Sequence, residues 1–483
     1  MKAISILGTA SNSGKSWLAT ALCAWLRERG IRVAPFKAQN MSNNSCVTLD
    51  GGEIGRAQGV QAEACGLAPQ VEMNPILLKP SGGKGSQLVC LGQSIEHIAA
   101  ADYYKRTEAL WKIVSNTLDF WKDRCDVLVI EGAGSPVELN LMDRDLVNLR
   151  PITYLDGKWL LVGDIERGGV FAQLIGTWHL LPEPARSQGL GTIVNKFRGD
   201  PALFDGAGEI LNRHIEVPYL GLLPFEPSLQ PESEDSLCGD AEQAGSGATI
   251  AWIRFPRLSN SSDCQPWLED TGVRTAWVNR PEQLTDVRAI VLPGSKDTLA
   301  DLAWLHERGL GEAIQDAARR KIPIVGICGG FQMLGETVED PTGEGGTAGH
   351  EVGLNLLPVS TRFAAKKKVT QVRACWGNQQ WATYEIHMGT TTFHQAPTPL
   401  FHVKDARGER PEGIKNQHVW GTYLHGLFAL PAVRQSLADA AGIRDFRPSP
   451  EPWRERSNRK YREMAECLDR NLDMQSVTRY VES

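Results

Sequence analysis

The sequence lacks several features that would each assign it to a class of protein. Its ten cysteines are scattered, and none stands in a C-x-x-C pair. This spacing indicates neither a zinc knuckle nor a redox pair, and it suits a reducing cytosol better than an oxidising compartment. The chain also has no run of about 18 consecutive apolar residues, so we expect no membrane span.

An excess of positive charge is missing as well. The net charge is −6 and the pI is close to 6.0, and neither value indicates a basic surface that would bind a nucleic acid. The opening residues MKAISILG are too short in apolar length for a signal peptide. We therefore expect a cytoplasmic protein with neither a nucleic-acid partner nor a membrane partner.

The length of 483 residues exceeds what one hydrophobic core supports. In the first half, short β-branched runs alternate with amphipathic stretches, a pattern that predicts a parallel, doubly wound sheet. The alternation restarts after a stretch rich in Pro, Glu, Ser, Asp and Gly. We predict an α/β fold of two doubly wound domains, at residues 1–228 and 249–447, with a linker at 229–248 and a tail at 448–483.

The segment 324–334, IVGICGGFQML, carries the clearest chemical signature. An apolar strand ends at Cys328, two glycines follow, and an amphipathic segment then begins. This order predicts a strand–nucleophile–helix turn at the top of a parallel sheet. The helix dipole stabilises a thiolate there, and the glycines let a substrate approach backbone N–H groups. The alternative is a buried structural cysteine at a tight turn.

A phosphate-binding loop is predicted at residues 8–16, GTASNSGKS, between a strand and a helix. It has five residues between its glycines, one more than a P-loop usually has. Backbone N–H groups of such a loop hold phosphates, the lysine neutralises their charge, and the final hydroxyl binds Mg²⁺. A chance Gly-Lys-Ser turn is the alternative. The candidate ATP-binding residues in this loop are Gly8, Thr9, Ser13, Gly14, Lys15 and Ser16.

Polar side chains end three further strands of the predicted first sheet. Glu131 ends the run VLVIE and Asp164 ends LLVGD, so both carboxylates are expected at the sheet edge where α/β proteins bind ligands. We predict that Glu131 and Ser16 hold Mg²⁺, and that Asp164 helps to position ATP or a substrate. Asn195 ends GTIVN and is a candidate for reading the nucleotide base. A helix N-cap is the alternative for each carboxylate.

Lys37 begins an amide-rich stretch, residues 37–44, KAQNMSNN. Such a stretch offers donors and acceptors with little charge, which suits a polar, polyfunctional ligand. The alternative is a turn-rich surface loop.

A histidine in the second half completes a possible catalytic pair. His425, in GTYLHG, follows a short strand, and a cysteine and a histidine on one sheet edge can form a thiolate–imidazole pair. Backbone amides near Gly294 are candidates for an oxyanion hole. Because the chain has ten histidines, a core or surface role is the alternative for His425.

Taken together, these motifs resemble those of the cobyric acid synthase family over roughly residues 2–445. Several of the matching blocks are absent from general P-loop or glutaminase proteins, so the resemblance is specific. The matching blocks are residues 8–16, 35–44, 51–58, 73–75, 77–80, 131–136, 164–171, 195–200, 292–296, 326–330 and 423–426.

The resemblance implies a dethiobiotin-synthetase-like P-loop domain followed by a class I glutamine amidotransferase domain. It implies amidation of the b, d, e and g side-chain carboxylates of adenosylcobyrinic acid a,c-diamide, giving adenosylcobyric acid in cobalamin biosynthesis. Glutamine would supply ammonia through Cys328 and His425, and ATP with Mg²⁺ would activate each carboxylate as an acyl phosphate. The implied partners are small molecules: the corrinoid diamide, glutamine and ATP.

One departure from the wider glutaminase class concerns the acid that orients the histidine. Class I enzymes usually carry a His-x-Glu sequence, whereas Leu427 stands at that position here. With no evident group to fix the imidazole tautomer, we expect a weaker glutaminase than a full triad gives.

Two other functions are compatible with parts of the pattern. Cobyrinic acid a,c-diamide synthase has the same two-domain plan, although residues 35–44 and 51–58 favour cobyric acid synthase. A P-loop regulatory switch with a degenerate glutaminase module is the second alternative. Ala10 argues against it, because partition-type switch ATPases carry a lysine there.

Overall fold

The computed structural model describes residues 1–80, 85–231, 243–364, 367–405 and 408–483. Two α/β units follow one another along the chain, each built around a largely parallel sheet with helices on its faces. The predicted α/β fold of two doubly wound domains is therefore confirmed. The middle of the predicted linker, residues 232–242, lies outside the described residues.

A six-stranded sheet, parallel throughout, forms the centre of the first unit within the described chain. Its strands are almost entirely apolar because both faces are covered by helices. The strand Lys2–Gly8 lies between the strands that end at Glu131 and Asp164, so all three carboxyl ends meet at one edge. In spatial order the strands are Tyr219–Pro224, Gly189–Phe197, Lys158–Asp164, Lys2–Gly8, Val127–Glu131 and Val33–Phe36.

A smaller sheet and a hairpin are inserted after the strand Val33–Phe36 and extend the same edge toward the second unit. The sheet consists of Gln39–Met41, Ile76–Pro80, Gly85–Cys90 and Gln93–Ala99, and the hairpin of Ser45–Val47 and Glu53–Gly55. The α-helices of the first unit are Lys15–Glu28, Arg56–Cys65, Ala100–Tyr104, Thr107–Trp121, Leu149–Tyr154, Val170–Leu180, Glu183–Arg186 and Ala207–Asn212. Short 3₁₀ helices lie at Val71–Met73, Met142–Arg144, Pro201–Phe204 and Pro227–Leu229.

The second unit has a seven-stranded sheet, counted over the described residues, whose inner strands are parallel and whose two edge strands are antiparallel. In spatial order its strands are Gln243–Gly245, Val273–Val278, Ala248–Ile253, Ala289–Leu292, Ile324–Ile327, Val419–Thr422 and Ile414–Asn416. Its helices are Thr298–Glu307, Leu310–Arg319, Gly329–Met333 and Pro431–Ala440, with 3₁₀ helices at Ser261–Glu269, Pro281–Leu284 and Leu427–Ala429.

Antiparallel strands complete the second unit and bring its histidine toward its cysteine. The short strand Leu424–His425 pairs with Gln379–His387, and Tyr384 lies opposite His425. This sheet contains Gly408–Glu412, Phe401–Asp405, Lys368–Trp376, Gln379–His387 and Leu424–His425. The remaining strands are Gly349–Val352, Thr337–Asp340, Val359–Arg362 and Thr390–Phe393 in one sheet, and Leu258–Ser259 with Gly294–Ser295 in another.

The C-terminal helices, Trp453–Asn471 and Gln475–Glu482, return to the first unit. The helix Lys15–Glu28 is apolar on nearly all sides because it packs against the sheet on one side and Trp453–Asn471 on another. Trp25 Nε1 donates to Asp469 Oδ1 at 2.6 Å across this contact. Within the described chain, no helix has both the length and the apolar character needed to span a bilayer.

Candidate functional site

The phosphate-binding loop runs from the strand Lys2–Gly8 to the helix Lys15–Glu28, as predicted. Gly14 has a φ of 102°, in the left-handed region that favours glycine, and any Cβ there would overlap the Asn195 side chain. Lys15 Nζ donates to the carbonyl oxygens of Ala10 and Gly134, each at 2.9 Å. The lysine is thereby held over the loop, in the position from which it could contact a phosphate.

The two predicted magnesium ligands are in direct contact. Ser16 Oγ donates to Glu131 Oε1 at 2.8 Å, and Lys37 Nζ lies 2.8 Å from the same oxygen. Gln61 Nε2 donates to the other carboxylate oxygen at 2.5 Å. Burial by itself would raise the pKa of Glu131, but the Lys37 ammonium and the hydrogen bonds from Ser16 and Gln61 lower it. Glu131 is therefore an ionised carboxylate that already attracts a cation.

A hydroxyl and one carboxylate form an incomplete metal site by themselves. The described residues contain no cluster of three or more His, Cys, Asp or Glu side chains that could hold a metal ion. Mg²⁺ typically takes one or two protein ligands and completes its shell with water and substrate phosphates. Ser16 and Glu131, next to a phosphate-binding loop, fit that mode of binding.

Asp164 and Asn195 lie near the ends of neighbouring parallel strands but have different hydrogen-bond partners. Asp164 is paired with Lys196 at 2.9 Å and lines the cleft beside the loop. Asn195 Nδ2 instead donates to the carbonyl oxygen of Ser13 at 3.0 Å, so this side chain stabilises the phosphate-binding loop. Asn195, which the sequence suggests as a residue that reads the nucleotide base, is therefore not among the residues that line the cleft.

The cleft itself has a volume of about 600 Å³ and collects most of the predicted residues of the first unit. Those of the predicted set that line it are Gly14, Lys15, Ser16, Lys37, Glu131 and Asp164. Gly8, Thr9 and Ser13 lie outside its lining, in the body of the loop; Thr9 Oγ1, for example, donates to Gln173 at 3.0 Å.

In the second unit, the turn at Cys328 has the geometry that the sequence predicts. Cys328 has a φ of 53° and a ψ of −110°, an uncommon backbone conformation that a non-glycine residue adopts only when its surroundings impose it. Its N–H donates to the Thr422 carbonyl at 2.8 Å, which ties the turn to the neighbouring strand. A Cβ on Gly329 would lie 2.8 Å from Ser295 N, and one on Gly330 would overlap Leu292 O. Only glycine fits at these two positions.

His425 is fully buried and interacts with both a sulfur and a carboxylate. Its Nδ1 lies 2.8 Å from Asp263 Oδ2, and the other oxygen of Asp263 accepts a hydrogen bond from Gly426 N at 2.5 Å. Burial would lower the pKa of His425, but Asp263 and the Cys328 sulfur raise it to about 10. The arrangement favours an imidazolium at His425, beside the Cys328 sulfur.

The structure supplies the orienting group that is not evident in the sequence. Asp263 takes the role that Leu427 cannot, from the 3₁₀ helix Ser261–Glu269 instead of the position after the histidine. Sequence reasoning missed this residue because a lone aspartate, far from any motif, carries no local signal.

The amide-rich segment after Lys37 connects the two sites. Asn44 Oδ1 accepts from Asn260 N at 2.7 Å, and Ser45 N donates to Asn260 Oδ1 at 3.1 Å. Asn260 Nδ2 in turn lies 3.4 Å from His425 Nε2. At its other end the segment reaches the cleft, where Asn40 Nδ2 donates to Gln58 at 2.8 Å. The segment therefore connects the two domains through hydrogen bonds and is not simply a surface loop.

Family models match both units. Residues 4–237 match a model described as a CobQ/CobB/MinD/ParA nucleotide binding domain. Residues 249–433 match one described as a CobB/CobQ-like glutamine amidotransferase domain.

Curated relatives align along nearly the whole chain. A cobyric acid synthase of Roseiflexus castenholzii is 46% identical, with 93% of this chain and 94% of the relative covered. That of Desulforudis audaxviator is 44% identical, with 93% of each chain covered. That of Sorangium cellulosum is 40% identical, with 99% of this chain and 98% of the relative covered.

Proposed function

The chain belongs to the cobyric acid synthase family of glutamine amidotransferase-type ligases, and we propose that it performs the amidations that this family name implies. The substrate is then adenosylcobyrinic acid a,c-diamide, whose b, d, e and g carboxylates are converted to amides in cobalamin biosynthesis. The observation that carries the proposal is the combination, in one chain, of the Cys328–His425–Asp263 group with a phosphate-binding loop at Lys15.

Ammonia is generated in the second domain. The Cys328 thiolate attacks the carboxamide carbon of glutamine, and backbone amides near Gly294 and Gly329 stabilise the oxyanion. His425 gives its proton to the leaving nitrogen, the C–N bond breaks, and a γ-glutamyl thioester remains. Water then hydrolyses the thioester, with His425 as base, to release glutamate and restore the thiolate. Asp263 holds the ring in the orientation that both proton transfers need.

The carboxylate is activated in the first domain, because an unactivated carboxylate is a poor electrophile. A carboxylate oxygen of the corrinoid attacks the γ-phosphorus of ATP, and ADP leaves. Lys15 neutralises charge on the transferring phosphoryl group, and Ser16 and Glu131 would hold Mg²⁺, which would supply further charge neutralisation. Ammonia then attacks the acyl carbon and phosphate departs. Lys37 and Asp164, which line the cleft, are proposed to position ATP and the corrinoid.

The test separates the two half-reactions. Cys328→Ala is expected to abolish amidation from glutamine and to retain amidation from added ammonium, whereas Lys15→Ala is expected to abolish both. Cys375→Ala, a partly buried free cysteine outside the site, is the matched control. Mass spectrometry of the corrinoid counts the amides formed from the diamide. Failure of ammonium to rescue Cys328→Ala would overturn the division of labour, and no added amide with the wild-type protein would overturn the proposed function.

A further inference from the structure

The pocket around Cys328 receives side chains from both domains. Lys79, at the end of the strand Ile76–Pro80 in the first domain, lines this pocket together with Lys296 and Lys367 of the second. Lys79 is almost fully buried, with a side chain only 4% exposed. The glutaminase pocket is therefore a composite that exists only while the two domains are docked.

The positive charge in this pocket exceeds the negative charge placed against it. Glu53 is the carboxylate that pairs with Lys79, and its second oxygen is taken by Lys367 at 2.5 Å. Lys296 Nζ donates to Gln87 Oε1 at 3.0 Å, and among the described residues no carboxylate lies within ion-pair distance of it. Three lysines thus line this side of the pocket, and Glu53 is in ion-pair contact with two of them, which leaves a surplus of positive charge among the lysines in a setting where unpaired charge is costly.

This surplus of positive charge, together with burial, lowers the pKa values of the lysines. Burial lowers the pKa of Lys296 to about 7, and the neighbouring Lys79 and Lys367 lower it further than Glu53 and Asp297 raise it. Burial likewise lowers the pKa of Lys79 to about 8 despite its pairing with Glu53. An anion bound between the two ammonium groups would relieve both effects.

A second feature of the pocket is a buried polar atom on His387. Among the described residues, the buried Nδ1 atom of His387 has no hydrogen-bond partner of normal geometry, and the ring stacks on Tyr423 at 3.7 Å between centroids. Burial lowers the pKa of His387 to about 4, so the ring is neutral. A ring nitrogen held in this way offers a hydrogen bond to whatever occupies the pocket.

We propose that Lys79 and Lys296, one from each domain, bind the α-carboxylate of the glutamine substrate. The inference rests on the proposed function, because glutamine must present its carboxamide to Cys328. The α-carboxylate is the one anionic group of glutamine and lies at the opposite end of its short side chain. A pocket that binds the carboxamide at the thiolate and the carboxylate at two lysines fixes both ends of the substrate.

The consequence is that the first domain takes part in selecting the nitrogen donor. Lys79 is carried by a sheet that is inserted beside the ATP site, so glutamine cannot bind productively unless this sheet is docked on the second domain. Hydrolysis of glutamine by an undocked second domain would then be poor, which prevents the waste of glutamine.

The test compares L-glutamine with L-glutaminamide, whose α-carboxylate is replaced by a neutral amide. Lys296→Met and Lys79→Met keep the apolar stem and remove the charge. Each is expected to raise KM for glutamine about tenfold, as the loss of one charge-assisted hydrogen bond does, with little effect on hydrolysis of glutaminamide. The preference of the enzyme for glutamine over glutaminamide should fall by the same factor. Amidation from ammonium should be unaffected.

Lys404→Met, an exposed lysine on a strand of the same domain, is the control and should leave the preference unchanged. An equal loss for both substrates, or an unchanged KM for glutamine, would overturn the proposal. If Lys79→Met fails to fold, the more conservative Lys79→Gln serves in its place, and Lys296→Met tests the second-domain lysine independently. Failure of the wild-type protein to hydrolyse glutamine at all would count against the proposed function and not against the lysines alone.

Discussion

At the scale of single residues, one carboxylate, that of Asp263, orients the imidazole ring of His425. Asp263 accepts from His425 Nδ1, which leaves Nε2 to face the sulfur and Asn260. The carboxylate also receives the N–H of Gly426, so its own orientation is fixed by the backbone that follows the histidine. The ring cannot turn without losing a buried hydrogen bond to Asp263.

Asp263→Asn should therefore slow glutamine hydrolysis by about 100-fold or more, because a neutral amide does not stabilise the imidazolium and can favour the wrong tautomer. The pKa of His425 should fall, since the carboxylate raises it. Both effects are measured by kcat for glutamine as a function of pH. Amidation from ammonium should persist, and Asp439→Asn, on an exposed helix position, should behave as wild type. Unchanged turnover in Asp263→Asn would remove Asp263 from the mechanism.

At the scale of secondary-structure elements, a buried glutamate joins the strand Gly408–Glu412 to the strand Val419–Thr422, which precedes His425. Glu412, at the end of the strand Gly408–Glu412, accepts from Thr422 Oγ1 at 2.6 Å and from Tyr423 N at 2.7 Å. These contacts fix the bend between the strand Val419–Thr422 and His425. Burial raises the pKa of Glu412 to about 7, although both hydrogen bonds act to lower it.

A raised carboxyl pKa predicts a loss of stability with rising pH. Between about pH 4.5 and about pH 7 the folded state binds more protons at Glu412 than the unfolded state does, so the free energy of unfolding falls across this window. Glu412→Gln keeps the shape and removes the titration. The difference in stability between wild type and variant should therefore change by roughly 3 kcal/mol from below the window to above it.

Urea unfolding at about pH 4 and about pH 8 measures this difference. Glu409→Gln, exposed on the same strand, is the control and should show the pH dependence of the wild type. A parallel pH dependence in Glu412→Gln and wild type would contradict the prediction.

At the scale of the whole molecule, the two catalytic sites are joined by a short series of hydrogen bonds. Asn260 has a left-handed backbone with a φ of 55° and contacts Asn44 and Ser45 in the first domain and His425 in the second. A change in the amide-rich segment on binding of ATP or the corrinoid would reach His425 through this one residue. Under the proposed function, these contacts would provide a physical route for coupling hydrolysis of glutamine to activation of the carboxylate.

Asn260→Ala should weaken that coupling. The ratio of glutamine hydrolysed to amide formed is expected to rise by roughly fivefold, in the lower range of known coupling energies. The measurement is glutamate released and amide formed in the same reaction, with Asn212→Ala, an exposed helix residue, as the control. A ratio equal to that of the wild type would show that Asn260 is structural.

The helix Trp453–Asn471 packs against the helix Lys15–Glu28, which is remote in sequence, so a substitution in it should destabilise the core of the first domain. Leu468 is fully buried in the core that it shares with the helix Lys15–Glu28, whose first turn carries Lys15 and Ser16. Leu468→Ala should lower the free energy of unfolding by about 2–5 kcal/mol, through lost burial and the cavity left behind. Glu466→Ala, exposed on the same helix, should cost little. Thermal unfolding of both variants gives the comparison, and equal midpoints would mean that the tail adds nothing to this core.

The sequence by itself determined the α/β class, both doubly wound domains and the local structure around Lys15, Glu131, Cys328 and His425, at strand ends and turns. Each of these depends on a local pattern, since a strand, a glycine turn and a helix lie close together along the chain and dictate their own geometry. Only the tertiary structure decided that Asp263 orients His425, that Lys79 enters the pocket of the other domain, and that the C-terminal helices pack on the first one. These contacts join residues that are remote in sequence, and their existence depends on how the domains dock, for which no local pattern carries a signal.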